Sequence, residues 1–302
     1  MKILVTGSSG TIGTRLCERL TGGLHSPVCV DWRANQWSKD IDAQTLRIDL
    51  RDERAVSAIP GDIDMVVHLA ANARVYDLVL DPGQARDNFL TLFNALEFAR
   101  THKVPRFIFA SSRESYGNIR VDKYTEDMAR VENCESPYTA SKIGGEALVR
   151  AYERCYGVHA LIFRFSNVYG MYDESNRVVP LFFRRARKNE PLTIFGKEKC
   201  LDFTYIDDCV DGIALGIENF EKAKGDVYNL AYGEGTTIVH LAERIRALLG
   251  SSSTMDMQPS RTGEVTRYIA DISKARKVLG YNPRIPFEEG IKKAVEWYRA
   301  NT

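Results

Sequence analysis

The chain has 302 residues, 44% of them hydrophobic, which is enough to bury a sizeable core in one large α/β unit or in two lobes. A formal net charge of +1 excludes an overall field that would attract nucleic acid or an anionic membrane, so any anionic ligand must be bound locally. The opening apolar run, Ile3 to Val5, is too short for a signal peptide, and no later run is long enough to span a bilayer. We therefore expect a cytoplasmic protein that binds neither nucleic acid nor membranes.

Apolar runs with the length of β-strands alternate with helix-like segments through the first half of the chain. The predicted strands are 2–6, 27–31, 45–49, 65–70, 106–110 and 159–165. Helical apolar spacing falls between them at 13–20, 88–100 and 138–156. Such alternation predicts an α/β fold with a doubly wound parallel sheet of the Rossmann type.

The second half of the chain is less regular. Its predicted helices are 178–188, 206–219 and 239–249, and its predicted strands are 192–195 and 226–231. We expect the last of these strands to return to the sheet of the first half. The prediction is therefore a first domain over 1–168, with a returning segment near 206–233, and a smaller interleaved lobe formed by 169–205 and 234–302.

The six cysteines are scattered, without a Cys-x-x-Cys pair or a histidine-rich spacing. Structural zinc sites need such closely spaced ligands. We expect reduced, mostly packed thiols and no metal site.

A glycine-rich segment follows the first predicted strand and opens a helix. It reads Gly7-Ser8-Ser9-Gly10-Thr11-Ile12-Gly13. Small residues let a pyrophosphate approach backbone amides, and the amino terminus of the helix adds a favourable dipole. We predict that a dinucleotide cofactor binds at Gly7, Gly10, Thr11, Ile12 and Gly13.

Asp31 ends the second predicted strand, 18 residues after Gly13. A carboxylate at this place can accept hydrogen bonds from ribose hydroxyls, which favours NAD over NADP. Arg33 keeps NADP open, because an arginine could pair with a 2′-phosphate, and a helix cap or solvated turn is the alternative role for Asp31. We expect 1–168 to be an NAD-binding domain.

Tyr138 and Lys142 lie four residues apart in a predicted helix, and Ser112 follows a predicted strand upstream. Residues four apart share a helix face, so the positive charge of Lys142 can favour the Tyr138 phenolate. That would make the tyrosine a usable base. With the glycine-rich loop, the three residues indicate a dehydrogenase-type active site.

These motifs resemble the extended short-chain dehydrogenase/reductase family, in particular its NAD-dependent nucleotide-sugar epimerase and dehydratase branch, which includes UDP-glucose 4-epimerase. Further matches are Asp49-Leu50, His68-Leu69-Ala70-Ala71, Asn88, Ser111-Ser112, Tyr116-Gly117, Arg164 to Gly170, Leu192 to Gly196, Asp202 to Asp208 and Arg261 to Val265. The resemblance covers nearly the whole chain.

By that resemblance the cofactor would have further contacts, and the second lobe would bind the substrate. The cofactor contacts would be Asp49 and Leu50 at the adenine, Leu69, Ala70 and Ala71 beneath the cofactor, and Asn88, Tyr138 and Lys142. The substrate contacts would be Ser112, Arg113, Glu114, Tyr138, Asn167, Phe195, Arg261 and Glu264. Simpler roles stay open for three of them: a core side chain for Phe195, a surface charge for Arg261 and a turn cap for Ser112.

The resemblance implies catalysis by Ser112, Tyr138 and Lys142. Tyr138 would remove the proton of the sugar 4-hydroxyl while hydride passes to NAD, which gives a transient 4-keto sugar. Ser112 would donate a hydrogen bond to the reacting oxygen. An epimerase then returns hydride to the opposite face, so that NAD is recycled.

Arg113 and Glu114 depart from each branch of the family. Dehydratases usually place Asp-Glu there, because an acid must help expel the 6-hydroxyl, and an arginine cannot be that acid. Most epimerases have small neutral residues, whereas Glu114 matches a glutamate of dehydratases and uronate decarboxylases. Arg113 could pair with the carboxylate of a uronic sugar, but we favour a solvent-exposed pair between Arg113 and Glu114.

Leu201 stands where the family commonly has an arginine that contacts the diphosphate. Arg184, Arg185 or Arg187 could compensate from the preceding helix.

The leading prediction is an NAD-dependent nucleotide-sugar 4-epimerase acting on a UDP-hexose or a relative. A dehydratase, a uronate decarboxylase or epimerase, or a reductase on the same scaffold is the nearest alternative. A non-catalytic NAD-binding regulator is a more distant one. The resemblance also implies a homodimer formed through helices 88–100 and 138–156.

Overall fold

A computed structural model describes all residues from Met1 to Thr302. Its strands are β1 (Lys2–Thr6), β2 (Ser26–Asp31), β3 (Leu46–Arg47), β4 (Met65–His68), β5 (Arg106–Ser112), β6 (His159–Phe165), β7 (Asn167–Tyr169), β8 (Leu192–Phe195), β9 (Cys200–Tyr205), β10 (Asp226–Leu230), β11 (Gly235–Thr237), β12 (Met255–Gln258) and β13 (Arg267–Tyr268). Its helices are α1 (Thr11–Thr21), α2 (Lys39–Gln44), α3 (Glu53–Val56), α4 (Val75–Leu80), α5 (Gly83–Thr101), α6 (Pro137–Tyr156), α7 (Val178–Arg187), α8 (Ile206–Glu218), α9 (Phe220–Ala223), α10 (Ile238–Leu249), α11 (Ser273–Leu279) and α12 (Phe287–Asn301). None of them is long and apolar enough to cross a membrane.

Seven parallel strands form the central sheet, in the order β10-β6-β5-β4-β1-β2-β3. Strand β1 shows why helices cover both faces: Ile3 and Val5 point into one hydrophobic core and Leu4 into the other. Helices α1 and α8 contribute to the first core, and α5 and α6 to the second. The prediction of a doubly wound parallel α/β sheet is confirmed.

The strand order reverses between β1 and β4, and this reversal positions the site. In open α/β sheets, ligands bind in the crevice at the carboxyl ends of the strands where the order changes. The glycine-rich segment follows β1 at that edge, and Ser112 ends β5 there.

The second half of the chain both completes the central sheet and builds smaller ones. Strand β10 pairs with β6, as predicted for 226–231. Strand β9 pairs with β7, β11 and β13, and β8 pairs with β12. Only β8 of these smaller sheets was predicted. Most of the other strands have two to four residues, which is too short for a period to show in the sequence, whereas β9 alternates apolar and polar side chains from Leu201 to Tyr205 and was missed.

Candidate active site

A cleft of about 1020 Å³ opens at the carboxyl edge of the central sheet. The predicted site residues that line it are Gly7, Gly10, Thr11, Ile12, Gly13, Leu69, Ala71, Ser112, Arg113, Glu114, Tyr138, Lys142, Asn167, Phe195, Arg261 and Glu264. Those that lie outside its lining are Asp31, Asp49, Leu50, Ala70 and Asn88. The first half of the chain therefore supplies one wall, and α7, β8 and the segment after β12 supply much of the other.

The glycine-rich loop lies so close to its neighbours that two of its positions exclude a side chain. A Cβ on Gly13 would lie 2.0 Å from the Gly7 carbonyl oxygen, and a Cβ on Gly7 would lie 2.8 Å from the Ala70 backbone nitrogen. Gly7 also has φ +74°, which favours glycine. Helix α1 begins beyond Gly10 with no side-chain cap and no acidic residue in its first turn. Its free N–H groups and its dipole fit the pyrophosphate of a dinucleotide.

Asp31 ties this loop to the end of β2. Its carboxylate accepts hydrogen bonds from the backbone N–H groups of Ser9 at 3.0 Å and Arg33 at 2.9 Å. Asp31 is buried, so it is neither a helix cap nor a solvated turn residue. The neighbouring Trp32 and Arg33 line the cleft, with the guanidinium carbon of Arg33 5.6 Å from the centre of the Trp32 ring.

Asn88 lies behind the cleft wall and holds the segment after β4. Its side chain donates to the Asn72 carbonyl at 3.0 Å and accepts from the Asn72 N–H at 2.7 Å. It also donates to Ser141 Oγ on α6 at 3.2 Å. Asn88 therefore connects the segment that carries Leu69 and Ala71 to the helix that carries Tyr138.

The segment after β3 is also held from behind. Asn94 Nδ2 donates to the Leu50 carbonyl at 2.7 Å, and Asp49 binds Arg51 at 2.7 Å. Asn94 had no sequence signal, because its partner is 44 residues away in the chain.

Ser112, Tyr138 and Lys142 come together in the cleft, and all three side chains are buried. Ser136 caps the start of α6 by accepting from the Thr139 N–H at 3.1 Å, which fixes the helix one turn before Lys142. Lys142 Nζ lies 5.8 Å from the centre of the Tyr138 ring and donates to the Ala110 carbonyl at 2.8 Å. Ser112 Oγ accepts from the Glu114 N–H at 3.2 Å, so Ser112 caps a turn as well as lying in the cleft.

Burial is the largest influence on the pKa values of Tyr138 and Lys142. It raises the pKa of the Tyr138 phenol, while the Ser112 hydrogen bond and the charge of Arg177 lower that pKa. Burial lowers the pKa of Lys142 to about 8, and the charge of Glu146 acts in the opposite direction.

Glu146 is held firmly one helical turn beyond Lys142. Arg164 binds both of its carboxylate oxygens, at 2.9 and 2.7 Å, and Ser111 Oγ donates to it. The charge that opposes loss of the Lys142 proton is therefore fixed in place.

Arg113 and Glu114 form an ion pair of 2.7 Å, but the favoured prediction of a solvent-exposed pair is wrong. Their side chains are only 11% and 3% exposed. Arg113 Nη1 and Glu114 Oε2 are buried without a hydrogen-bond partner. Burial raises the pKa of Glu114, and Arg113 is the largest influence that lowers it. The pair lies beside Ser112 in the wall of the cleft because both residues belong to the turn that ends β5.

The opposite wall brings together side chains from distant segments. The guanidinium carbon of Arg261 lies 3.8 Å from the centre of the Phe195 ring and 4.5 Å from that of Tyr76. Lys199 pairs with Glu264 at 2.6 Å. Phe195 is therefore not a core residue, and Arg261 is not an isolated surface charge. Tyr76 and Lys199 were not predicted, because nothing local marks them as neighbours of Arg261 and Glu264.

Leu201 is buried and faces this wall, together with Asn167, whose Nδ2 donates to the Asp202 carbonyl at 3.0 Å. Of the three arginines suggested as substitutes for the missing one, only Arg185 lines the cleft. Arg184 instead binds Asn176 and nearby carbonyls, and Arg187 binds the carboxyl-terminal residue.

The fold and this constellation define a dinucleotide-dependent enzyme of the short-chain dehydrogenase/reductase kind. The sequence pattern of the NAD dependent epimerase/dehydratase family matches residues 3–231. The chain belongs to that family, and NAD is its cofactor. The resemblance stated from the motifs is thereby confirmed.

Relatives with several activities span the whole chain. A dTDP-glucose 4,6-dehydratase from Actinoplanes is 31% identical, over 100% of this chain and 98% of its own. The structure of UDP-glucose 4-epimerase from Thermotoga maritima with UDP-glucose is 30% identical over 99% of both chains, with a TM-score of 0.91. That of UDP-glucuronic acid 4-epimerase from Bacillus cereus with UDP-glucuronic acid and NAD is 28% identical over 100% of both, also with a TM-score of 0.91. Together they support an NAD-dependent enzyme that modifies nucleotide sugars.

Proposed function

We propose that the protein is a nucleotide-sugar 4-epimerase that acts on a UDP-hexose. The observation that carries this choice is the buried ion pair between Arg113 and Glu114 beside Ser112. A dehydratase needs an acid to help expel the 6-hydroxyl, and Arg113, which stands in that place, cannot be that acid and instead binds one oxygen of Glu114. An epimerase needs only reversible oxidation at C4.

In this proposal the side chains of the cleft move one proton. Bound NAD supplies the acceptor and donor of the hydride at C4. Tyr138 takes the proton of the 4-hydroxyl and later returns it, while Ser112 donates a hydrogen bond to the same oxygen. Positive charge from Arg177 and Arg113 partly offsets the burial that otherwise keeps the proton on Tyr138. Lys142 adds a cation 5.8 Å from the centre of the Tyr138 ring.

Two cations are available to bind the substrate diphosphate. The second half of the chain places Arg177, Arg185, Lys199 and Arg261 in the cleft. Lys199 is paired with Glu264, and Arg177 lies 3.9 Å from Asp173. We assign the diphosphate to Arg185 and Arg261, neither of which has a carboxylate partner. They would take the role of the family arginine whose place Leu201 occupies in this chain.

The decisive experiment is incubation of the purified protein with UDP-glucose, UDP-N-acetylglucosamine, UDP-glucuronate and dTDP-glucose, without added reductant. Products are analysed by mass and proton NMR. An unchanged mass with a new anomeric signal is the expected result for UDP-glucose. Loss of water or of carbon dioxide would replace the epimerase proposal with a dehydratase or a decarboxylase, and a protein that binds NAD but turns over no sugar would indicate a regulator.

A uronate 4-epimerase is the second candidate, because Arg113 lines the cleft next to Ser112 and its Nη1 has no hydrogen-bond partner. A substrate carboxylate could bind that nitrogen. Arg113→Ala would then lose much more activity on UDP-glucuronate than on UDP-glucose. Equal losses on both sugars would exclude a carboxylate contact.

We also propose a cytoplasmic homodimer. On α5, Phe89, Leu90 and Phe93 are 37%, 37% and 43% exposed, although they are large and apolar. A Cβ on Gly144 of α6 would lie 2.6 Å from the Phe89 ring, so the two helices form one continuous surface. Light scattering of the wild type and of Phe93→Glu tests the dimer, which the introduced charge should dissociate.

The cytoplasmic location is proposed from the cysteines. All six are free thiols, which fits a reducing compartment.

A further inference from the structure

Two aromatic rings enclose the guanidinium of Arg261. Phe195, on β8, covers one side with its ring centre 3.8 Å from the guanidinium carbon, and Tyr76, on α4, lies at 4.5 Å. The rings come from opposite halves of the chain, and all three side chains line the cleft. This arrangement therefore spans the two walls of the cleft.

The two rings contact this side chain without support from a hydrogen bond or an ion pair. Arg261 takes part in none of the side-chain hydrogen bonds or ion pairs of the protein, although 23 ion pairs are present. Stacking uses the flat faces of a guanidinium and leaves its N–H groups free at the edge. Arg261 is thus fixed in orientation and keeps its donors for an anion.

The backbone near Arg261 is anchored independently of Tyr76. Asn118 donates to the Glu264 carbonyl at 3.1 Å and accepts from the Thr266 N–H at 2.8 Å, and Lys199 binds the Glu264 side chain. A Cβ on Gly263 would lie 3.0 Å from Val79, so the segment already rests against α4. Removal of the Tyr76 ring should therefore release the Arg261 side chain and leave its backbone in place.

We infer that Tyr76 is a positioning residue for substrate binding: its ring holds the Arg261 guanidinium toward the diphosphate of a nucleotide sugar. The inference rests on the proposed function. Because Leu201 contributes no charge, the diphosphate depends on few cations, and the orientation of each has a large effect on affinity. Tyr76 acts through Arg261 and takes no part in proton transfer.

The experiment compares Tyr76→Ala and Tyr76→Phe with the wild type, all loaded with NAD. Binding of UDP and of dTDP is measured by titration calorimetry, and KM and kcat are measured with the sugar that the wild type converts. Tyr156→Ala is the matched control, since Arg100 lies 5.4 Å from the centre of the exposed Tyr156 ring, outside the cleft. Thermal unfolding and bound NAD report on folding.

For Tyr76→Ala we expect binding of the nucleoside diphosphate to weaken about five- to thirtyfold, with a matching rise in KM. Its kcat should stay within about twofold, because an interaction made equally in the ground and transition states affects KM alone. Tyr76→Phe keeps the ring and should restore affinity to within about twofold of the wild type, and Tyr156→Ala should bind as the wild type does.

Unchanged affinity in a folded Tyr76→Ala protein would overturn this inference alone. A fall in kcat at constant KM would also overturn it, since Tyr76 would then act in catalysis. If the wild type binds neither nucleoside diphosphate, the proposed function falls as well.

Discussion

The two walls of the cleft are built by different means. The cofactor wall is mostly backbone, with Gly7 and Gly13 in close contact with their neighbours and the free amino terminus of α1 beside them. The substrate wall consists of side chains such as Phe195 and Arg261, which are held by other side chains from distant segments. A backbone wall tolerates few substitutions, whereas a side-chain wall can change its ligand without a change of fold. This difference fits a scaffold that keeps its cofactor while its substrate changes.

The largest expected effect lies between the walls, at Tyr138. Tyr138→Phe removes the proton acceptor and should lower kcat by about a thousandfold or more, within the range of general acid–base catalysis. Bound NAD, measured by absorbance after denaturation, should be unchanged, because the ring remains. A variant that retains more than a tenth of the activity would show that another group takes the proton.

In the cofactor wall, the addition of a single methyl group should be enough to disrupt NAD binding. Gly13→Ala places a Cβ 2.0 Å from the Gly7 carbonyl and should weaken NAD binding about a hundredfold or prevent folding. Gly22→Ala, at the other end of α1, is the control, since its Cβ would have 3.7 Å to the nearest atom. NAD affinity is measured by fluorescence titration, and equal affinity of the two variants would refute the constraint that we assign to the loop.

Substitutions in the substrate wall should have smaller effects, and these should be confined to substrate binding. Arg185→Ala should weaken UDP binding about tenfold and leave NAD binding intact, because it removes one diphosphate cation. Its sequence neighbour Arg184 lies outside the cleft, so Arg184→Ala should bind UDP as the wild type does. Calorimetry of both variants separates the two, and a shared loss would point to a change in α7 as a whole.

The smallest expected effect is a shift in the pH dependence of kcat. The pKa of Lys142 is about 8, so its charge is present below that pH and is lost as the pH rises through it. We expect kcat to fall above pH 8. Glu146→Gln removes a charge that raises this pKa, so the fall should begin at lower pH, with kcat at pH 8 reduced about twofold to threefold. Glu153→Gln on the same helix is the control, and an identical shift there would remove Glu146 from this role.

Local patterns in the sequence predicted the parts of the molecule that depend on local physics. The alternation of apolar runs predicted the parallel sheet, and the spacing of Tyr138 and Lys142 predicted their common helix face. Tyr76 and Lys199 could not be found in this way, because they contact Arg261 and Glu264 only after the chain has folded. Arg113 was misjudged for a related reason: adjacent opposite charges are commonly solvated, and only the surrounding fold buries this pair.

Strand β10 has a consequence for the order in which the protein can fold. Leu161 of β6 is paired with Asp226 of β10, so the edge of β6 stays open until the ribosome has released more than 60 further residues. An unpaired, apolar edge strand is a template for association with other chains. A fragment that ends near residue 168 would keep the glycine-rich loop but expose this edge, and it should aggregate. During synthesis, the nucleotide-binding elements are therefore made before the last strand of their sheet is available.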